Sequence, residues 1–450
     1  MTTISIKKGY DLKVAGSAAR EVVSAKHPTT IAIHPVEFRG IKPKLLVQEG
    51  DKVRGGSPLF SDKVNPAVRF VAPHSGVISS INYGERRRLD SIIITPDSSN
   101  DPIDFGAKDI NAIQSMSRAE AVTYLQDSGA FTYLRQRPFN SIPDSGRPPK
   151  SIFINAMNSA PNSLDQEFVL EGRENELQLG IYLIKKLTEG KVHLCHTEGS
   201  KLFTSLSGVE KHAFTGPHPS GLVGTHIHFI DPINKGDIVW YISAMHLAAI
   251  GSLLKTGHFD PETVVAMSGE GLKNRKYVKT IIGADLKGLI GDGLEKEEQR
   301  IVSGTVLYGT AVDLSGHILY YNNDLQVIPE GRKRRFLGWM MPGLDQFSVT
   351  ARVFLSSLIP SGPINYTTNI NGGHRALVWT DVYDNFTPLG IYTNFLLRSV
   401  LAENLEEMEQ LGIFEVAEED FALATYVCPS KIDVSAIIGK GLATIEKEGY

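Results

Sequence analysis

Three histidines lie close together in a segment rich in glycine and proline. His218, His226 and His228 belong to the run Gly-Pro-His-Pro-Ser-Gly-Leu-Val-Gly-Thr-His-Ile-His over residues 216–228. Histidines at positions i and i+2 of a strand share one face, which is compatible with metal ligation. No nearby carboxylate or cysteine completes a recognisable site, and glycine and proline can fix such a loop by backbone geometry alone. We therefore expect structural, hydrogen-bonded histidines and no metal site.

Lys63 is a second candidate, because it lies where carrier domains display a modified lysine. Residues 31–96 alternate short apolar runs with turn residues, a spacing typical of a small all-β unit. Within it, Val47-x-x-Gly50-Asp51-x-Val53 and Ala72-Pro73-x-x-Gly76-Val77 resemble the two hairpins of biotinyl/lipoyl domains. Asn65-Pro66 follow Lys63 directly, and the apolar flanks of a biotin lysine are missing. We expect an ordinary exposed lysine; the alternative is an acyltransferase or carboxylase component that uses Lys63.

The remaining reactive residues give no sign of independent catalysis. Two cysteines, Cys195 and Cys428, cannot supply the four thiolates of a cubane cluster, and their scarcity suggests a reducing compartment. Gly269-Glu-Gly271 is only a fragment of a phosphate-binding fingerprint and is typical of a hairpin turn. The sequence contains no Walker loop, zincin motif or nucleophile elbow. We assign no catalytic residue.

Composition restricts the class of protein. The chain has 450 residues, of which 42% are hydrophobic and 21% charged, which predicts several packed globular domains. Fifty acidic against 46 basic residues give a net charge of -4, which argues against nucleic acid as a partner. The first 25 residues hold no apolar run of signal-peptide length. The apolar run over residues 238–254 is short and polar for a membrane span, so we expect a buried amphipathic helix there.

The elements that must position these residues change in type along the chain. A helix is predicted over residues 117–135, with Ser117 as N-cap and Glu120 as its capping-box partner. A strand, a helix and a strand then follow in order, over residues 151–155, 174–187 and 192–195. This βαβ pattern predicts an α/β domain with a parallel sheet.

The second half of the chain has a different texture. Strands from Thr263 onward, with one short helix over residues 285–290, suggest a β-grasp unit. Beyond Pro388 the sequence predicts long helices, among them residues 395–411 and 434–447. We expect the last hundred residues to be mainly helical.

Four units therefore follow one another in an α/β multidomain chain. They are a barrel-sandwich, biotinyl/lipoyl-like β unit (1–100), a Rossmann-like α/β domain (101–258), a β-grasp, SLBB-like unit (259–332) and a mainly helical domain (333–450). This order resembles that of the A-subunit family of the bacterial Na+-translocating NADH:quinone reductase. That family is related to the flavin-bearing NADH-binding subunit of respiratory complex I and to the C subunit of the Rnf complex. The resemblance covers essentially the whole chain and is carried by Ile6-Lys-Lys-Gly9 with Asp11-Leu12, Phe70-x-Ala72-Pro73-x-Ser75-Gly76, Arg135-x-Arg137-Pro138-Phe139, Gly216-Pro-His-Pro-x-Gly221-Leu-x-Gly224-Thr225-His226, Leu337-Gly-Trp339-x-Met341-Pro-Gly343 and Val427-Cys-Pro-x-Lys431.

Departures from the flavin-bearing relatives are as informative as the matches. Where those relatives have a glycine-rich FMN loop, this chain has Arg137-Pro-Phe-Asn-Ser-Ile-Pro143, which lacks the glycines that let amides approach a phosphate. Asn155-Ala-Met-Asn-Ser-Ala-Pro161 replaces their acidic, cofactor-contacting stretch. Of their cluster-binding cysteines only Cys428 remains. The resemblance implies a scaffold without a flavin loop and without an iron–sulfur cluster.

The resemblance also implies a function. The chain is expected to be a peripheral component on the cytoplasmic side of the bacterial inner membrane, without a transmembrane helix and not catalytic in isolation. Its complex couples NADH oxidation and ubiquinone reduction to Na+ export. FMN, FAD, riboflavin and iron–sulfur centres are expected in the other five subunits (B to F), and the membrane-embedded B subunit is the chief partner.

The resemblance places the ubiquinone substrate of the complex near two segments of this chain. These are residues 34–41, with His34 and Phe38, and the loop around Arg137 and Phe139. An aromatic ring and a guanidinium can stack on a quinone and hydrogen-bond to it. A buried aromatic ring and a loop-fixing arginine are the plain alternative. An Rnf-type electron-transfer subunit and a pure assembly scaffold remain as alternative functions.

Overall fold

The first two strands of the chain belong to the sheets of later units. The structure, a computed structural model, describes residues 2–295, 298–332, 335–344, 346, 349, 354–359 and 362–448. β1 (Thr2–Ser5) pairs in parallel with a strand at Glu210–Thr215, and β2 (Ala19–Ser24) pairs in parallel with one at Lys276–Ile281. The first two strands of the unit predicted over residues 1–100 therefore belong to two other sheets, because strands can pair with partners far away in the sequence.

The barrel-sandwich unit consists of two small antiparallel sheets. Its strands are β3 (Ile31–Ile33), β4 (Pro43–Leu45), β5 (Lys52–Val53), β6 (Pro58–Asp62), β7 (Arg69–Val71), β8 (Gly76–Tyr83) and β9 (Leu89–Pro96). One sheet has the order β3-β9-β8-β5 and the other β4-β6-β7. Ile31, Leu59, Phe60, Ile92 and Ile94 are buried between them, as the alternation of apolar runs with turns predicts.

A Rossmann-like α/β domain follows. Its elements are α1 (Ile110–Ser115), α2 (Arg118–Asp127), β10 (Arg135–Arg137), β11 (Ser151–Ala156), α3 (Gln166–Leu170), α4 (Glu174–Ile184), β12 (Lys191–Thr197), α5 (Leu202–Ser205), β13 (Glu210–Thr215), α6 (Val223–Ile230), β14 (Val239–Ser243) and α7 (Ala244–Thr256). The sheet order is β1-β13-β12-β11-β14-β10, and only β10 runs antiparallel to its neighbour. The predicted parallel sheet is confirmed.

Both faces of this sheet are covered. Ile152 and Ile154 of β11 face the core shared with α4 and α7, whereas Phe153 belongs to the core shared with the C-terminal helices. Burial on both faces explains why the central strands β11 and β14 read as nearly continuous apolar runs. On the first face, a Cβ atom at Gly251 would lie 1.8 Å from the carbonyl oxygen of Glu176, so α4 and α7 pack backbone to backbone.

Two predicted elements of this domain have other bounds than expected. The capping box of Ser117 and Glu120 is confirmed, but the helix ends at Asp127 because Gly129 takes a left-handed φ of 76°. The stretch predicted as one amphipathic helix over residues 238–254 divides into β14 and α7. Ser243 separates the two, since its side chain accepts a hydrogen bond from the His246 N–H and caps α7.

The β-grasp unit is confirmed. It comprises β15 (Glu262–Ser268), β16 (Lys276–Ile281), α8 (Leu286–Ile290), β17 (Gln299–Ser303), β18 (Thr310–Val312) and β19 (Asp324–Pro329). The order is β18-β17-β19-β15-β16-β2. Gly269 and Gly271 lie in the connection between antiparallel β15 and β16, as expected for a hairpin.

The predicted C-terminal helices are present, but one of them is divided. They are α9 (Thr393–Leu401), α10 (Leu405–Gln410), α11 (Ala422–Val427) and α12 (Val434–Glu448). The single helix expected over 395–411 is two, because Glu403 has a φ of 55° and Asn404 caps α10. Residues 362–392 are all described and contain one 3-10 turn, Tyr383–Asn385, whereas parts of 333–361 lie outside the described residues. In the described part of the chain, every helix is too short or too polar to cross a bilayer.

Candidate functional site

The sheet order of the α/β domain reverses between β11 and β14. In open α/β sheets, ligands bind in the crevice outside the carboxyl ends of the strands at this position. Here the loop that follows β11 is bound by the β-grasp unit of the same chain. The Leu164 N–H donates to Asp324 Oδ1 over 2.7 Å, and Gln326 Nε2 donates to the Pro161 carbonyl over 2.7 Å. The β-grasp unit is therefore fastened to this edge of the sheet.

Arg135 lies beside this crevice between two tyrosine rings. β10 pairs with β14 so that Arg135 is opposite Tyr241. Arg135 Nε donates to the Tyr241 hydroxyl over 2.7 Å, and its guanidinium carbon lies 5.2 Å from the Tyr241 ring centroid and 4.8 Å from that of Tyr321. Burial lowers the pKa of Arg135, but Tyr241 and Glu419 outweigh burial and leave this pKa raised. The side chain is thus a fixed cation.

Arg137 forms two ion pairs at the junction, by which we mean the region where β10 and the residues after it meet the acidic run 418–420. Its side chain is 1% exposed, its Nη2 lies 2.8 Å from Glu419 Oε1 and its Nη1 lies 3.3 Å from Asp420 Oδ2. Burial raises the pKa of Asp420, and the charge of Arg137 opposes that rise. Gly224 leaves room for the carboxylate, since a Cβ atom there would lie 2.5 Å from Asp420 Oδ1. The β10 loop, residues 137–143, is therefore bound to the C-terminal region.

The segment 34–41 lies against the same loop. The Ile142 N–H donates to the Arg39 carbonyl over 3.1 Å, and a Cβ atom at Gly40 would lie 2.9 Å from that of Ser141. Arg39 Nη1 lies 2.8 Å from Glu418 Oε1. The two segments singled out in the sequence are thus neighbours, and both bind the acidic run 418–420.

The four residues assigned to the quinone lie in different surroundings. Phe38 is buried in the barrel-sandwich unit, with its ring centroid 4.4 Å from that of Phe70. Phe139 is buried beside Phe414, at 6.5 Å between ring centroids. Half-buried His34 directs Nδ1 to the Asp90 carbonyl at 3.2 Å, and burial lowers its pKa. Only Arg137 and Phe139 share the β10 loop, and the assignment to ubiquinone stays a prediction.

Several residues of this junction were missed in the sequence. Arg135 appears in the Arg135-x-Arg137 motif, but Tyr241, Tyr321 and the acidic run come from three other parts of the chain. Their signals were an aromatic residue within an apolar run, the Tyr320-Tyr321 pair and the consecutive acids 418–420. No spacing rule brings them together.

The three histidines are not arranged on a strand. His226 and His228 lie on α6, where residues two apart point to different sides, so the predicted strand is wrong. His226 Nε2 bonds to the Ser220 carbonyl at 2.9 Å, His228 Nδ1 to Glu415 Oε2 at 3.1 Å and His218 Nδ1 to Ser159 Oγ at 2.9 Å. Burial lowers the pKa of His218 and His226 to about 3, so both are neutral. Among the described residues, no group of three or more His, Cys, Asp or Glu side chains could hold a metal ion.

The other sequence candidates lie apart from the junction. Lys63 is exposed at the end of β6, in a turn where the Asp62 carboxylate accepts the Lys42, Val64 and Asn65 N–H groups. Its modification state stays a prediction. Cys195 and Cys428 are buried free thiols; burial raises the pKa of Cys195, and the Tyr383 hydroxyl lies 3.1 Å from Cys428 Sγ.

Asp324 makes the contact between the β-grasp unit and the loop after β11 sensitive to pH. Burial raises its pKa to about 7, whereas an unfolded aspartate ionises near 4. The folded chain therefore binds the proton more tightly, and this group's contribution to stability is lost as pH rises from about 4 to about 7. We expect Asp324→Asn to gain on the wild type by about 1 kcal/mol per pH unit in that window. Thermal melts at pH 5, 6, 7 and 8 measure this; parallel curves for both proteins contradict it.

Arg137→Met tests the buried ion pair. The change leaves the Asp420 carboxylate buried without its cation, so we expect a loss of roughly 3–5 kcal/mol and a lower Tm. The double variant Arg137→Met with Asp420→Asn removes both charges and is expected to recover part of that loss. Calorimetric melts of the three proteins measure it. A single variant as stable as the wild type would show that the ion pair is not needed, and one no less stable than the double variant would show that an unpaired Asp420 charge is not the cause of the loss.

Three sequence families match successive parts of the chain. The NqrA N-terminal barrel-sandwich hybrid domain matches residues 4–97, the NqrA second alpha/beta domain residues 116–259, and the NQRA C-terminal domain, labelled SLBB, residues 264–313. Solved structures of an NAD+-reducing [NiFe]-hydrogenase match with TM-scores of 0.32 in the H2-reduced state and 0.35 in the air-oxidised state, each at 11% identity. The first match covers 49% of this chain and 47% of that chain, and the second 66% and 54%.

Full-length relatives are more similar. The A subunit of the Na(+)-translocating NADH-quinone reductase of Histophilus somni strain 2336 is 39% identical over 99% of this chain and 100% of its own length. The proteins of the same name from Tolumonas auensis and Yersinia pestis are 38% and 37% identical, each over 99% of this chain and all of their own length. The chain therefore belongs to the A-subunit family of the Na+-translocating NADH-quinone reductase.

Proposed function

We propose that this chain is a peripheral, cofactor-free component of a complex that couples NADH oxidation and ubiquinone reduction to Na+ export. The observation that carries the cofactor-free assignment is the β10 loop, residues 137–143. Its arginine is bound to two carboxylates of the same chain, and its backbone is bound to the barrel-sandwich unit. Because these groups are already bound within the chain, the loop connects domains and does not hold a cofactor.

The backbone amides of this loop support the same assignment. A phosphate-binding loop directs several N–H groups at an open site. Here the Ile142 N–H donates to the Arg39 carbonyl over 3.1 Å, and the Ser141 carbonyl accepts the N–H of Gln136 on β10 over 2.8 Å. Phe139 and Asn140 turn the chain with φ values of 78° and 56° without any glycine. These hydrogen bonds stabilise the loop itself, which supports a loop that holds no phosphate.

The thiols support an accessory role over an Rnf-type electron-transfer role. Cluster ligation needs about four thiolates, and this chain has two cysteines, both buried in the core between the sheet and the C-terminal helices. FMN, FAD, riboflavin and iron–sulfur centres then belong to the other five subunits (B to F). We place this chain on the cytoplasmic side of the membrane, against the membrane-embedded B subunit.

We further propose that the ubiquinone head group approaches the junction of segment 34–41 and the β10 loop. Their direct contact supports a shared surface. Because Phe38, Arg137 and Phe139 are buried, they would shape that surface from behind, and the half-buried ring of His34 is the group that a quinone could reach. A pure assembly scaffold is the alternative that the tests must separate.

Purification of the tagged chain from native membranes tests its membership of the complex. We expect the other five reductase subunits in the eluate by mass spectrometry, because the family is named as one subunit of a multi-subunit reductase. The isolated chain should show no visible absorbance. A chain that elutes alone and coloured would favour the electron-transfer relative with its own redox centres.

His34→Ala tests the approach of quinone. If the ring supplies one hydrogen bond or stacking contact, the KM for ubiquinone-1 should rise about fivefold, equivalent to roughly 1 kcal/mol, while the KM for NADH stays unchanged. His258→Ala is the matched control, since that half-buried ring also bonds a backbone carbonyl, Ile103, at 3.1 Å. Equal KM values for both variants would favour the pure scaffold.

A further inference from the structure

An exposed aromatic cluster lies on α9 and the loop before it. Trp379, Tyr392 and Phe395 are 56%, 69% and 45% exposed, and Arg398 is exposed beside them. Tyr392, Phe395 and Arg398 are three residues apart, so they share one face of the helix. The Phe395 ring centroid lies 4.9 Å from that of Trp379 and 6.1 Å from that of Tyr392. We call these four residues the aromatic cluster.

The aromatic cluster is held in place by the buried face of α9 and by hydrogen bonds of the loop that precedes it. The opposite face of α9, with Leu396, Leu397 and Val400, is buried in the C-terminal core. The loop that holds Trp379 is anchored at both ends: the Arg375 N–H donates to the Ser430 carbonyl over 2.9 Å, and Asn394 Nδ2 donates to the Thr380 carbonyl. The rings are therefore exposed on a fixed support, which lowers the entropy cost of binding.

The composition of the aromatic cluster indicates a protein partner. Single exposed apolar residues are ordinary on a protein surface, but contiguous rings are not. Trp, Tyr and Arg are enriched among residues that dominate binding energy at protein interfaces. Val378 and Leu401, 47% and 50% exposed, lie next to Trp379 and near Arg398 in the sequence and add apolar surface. A bilayer with anionic lipids would favour several clustered cations, whereas this cluster has one.

Arg398 specifies the charge of the partner. Its guanidinium carbon lies 5.4 Å from the Trp379 ring centroid, and among the described residues it makes no ion pair. A cation held against an aromatic face remains open to a carboxylate from outside the chain. The surface thus combines an apolar patch with one unneutralised positive charge.

We propose that the aromatic cluster docks another subunit of the complex, through an apolar segment with an Asp or Glu that pairs with Arg398. This inference rests on the proposed function, because it takes the chain to be part of an assembly. It adds a surface and the chemistry of the segment that binds there. The rings supply buried apolar area, and the ion pair fixes the register of the partner.

Co-purification of variants from native membranes tests the docking surface. We expect Phe395→Ser and Arg398→Glu each to reduce recovery of the other subunits about tenfold, with Tm unchanged because both side chains are exposed. Tyr83→Ser and Arg87→Glu are matched controls, since they alter an exposed ring and an exposed cation on the β8–β9 hairpin. Full recovery with the cluster variants, or equal loss with the controls, overturns the proposal. If even the wild type recovers no subunits, the proposed function itself has failed.

Photo-cross-linking identifies the occupant. With p-benzoylphenylalanine in place of Phe395 in the assembled complex, we expect an adduct to another subunit, within a few residues of an Asp or Glu. Changing that acid to Lys should restore the recovery lost in Arg398→Glu. An adduct formed only with a second copy of this chain, or only with lipid, overturns the proposal.

Discussion

The buried charge of Arg137 is the constraint on which the junction depends. Removing a guanidinium from water is costly unless carboxylates are close, and Glu419 and Asp420 are supplied from the far end of the chain. The β10 loop can therefore keep its path only when the C-terminal region has folded over the sheet. Arg39 makes a similar ion pair with Glu418, so the barrel-sandwich unit and the α/β domain both bind one acidic run of the C-terminal region. The site therefore holds the domains of the chain together through ion pairs between residues far apart in sequence.

The sheet of the α/β domain needs the same closure. Alternate residues of β11 belong to two different cores, one with α4 and α7 and the other with the C-terminal helices. If the second face were open, Phe153, Cys195 and Phe214 would lie in water. Together with α6, the C-terminal helices thus form the helical layer that doubly wound folds place on the second face of a parallel sheet. In this family member the region that carries the acidic run also completes the core.

Much of the local structure could be predicted from the sequence, because local rules determine it. The Ser117 and Glu120 capping box, helix α12 and the succession of strands around one short helix in the β-grasp unit all follow from patterns within short windows. Two helix predictions were wrong because of one residue each: the left-handed Gly129 ended α2, and the Ser243 cap divided a long apolar run. The junction could be predicted only as two segments, through family resemblance. The Arg135–Tyr241 contact and the Arg137–Asp420 pair join residues far apart in sequence, which no local pattern encodes.

The placement of β1 and β2 has a consequence for synthesis on the ribosome. Each strand is translated about 210 or 255 residues before the strand that it pairs with. At roughly 5–20 residues per second, that separation corresponds to a wait on the order of tens of seconds. During this time two extended segments have no partner edge and are open to wrong pairing. Arg20 and Glu21 place opposite charges on β2, and such residues keep a waiting strand soluble. The first two strands of the nascent chain must therefore stay unpaired until the middle of the protein has been synthesised.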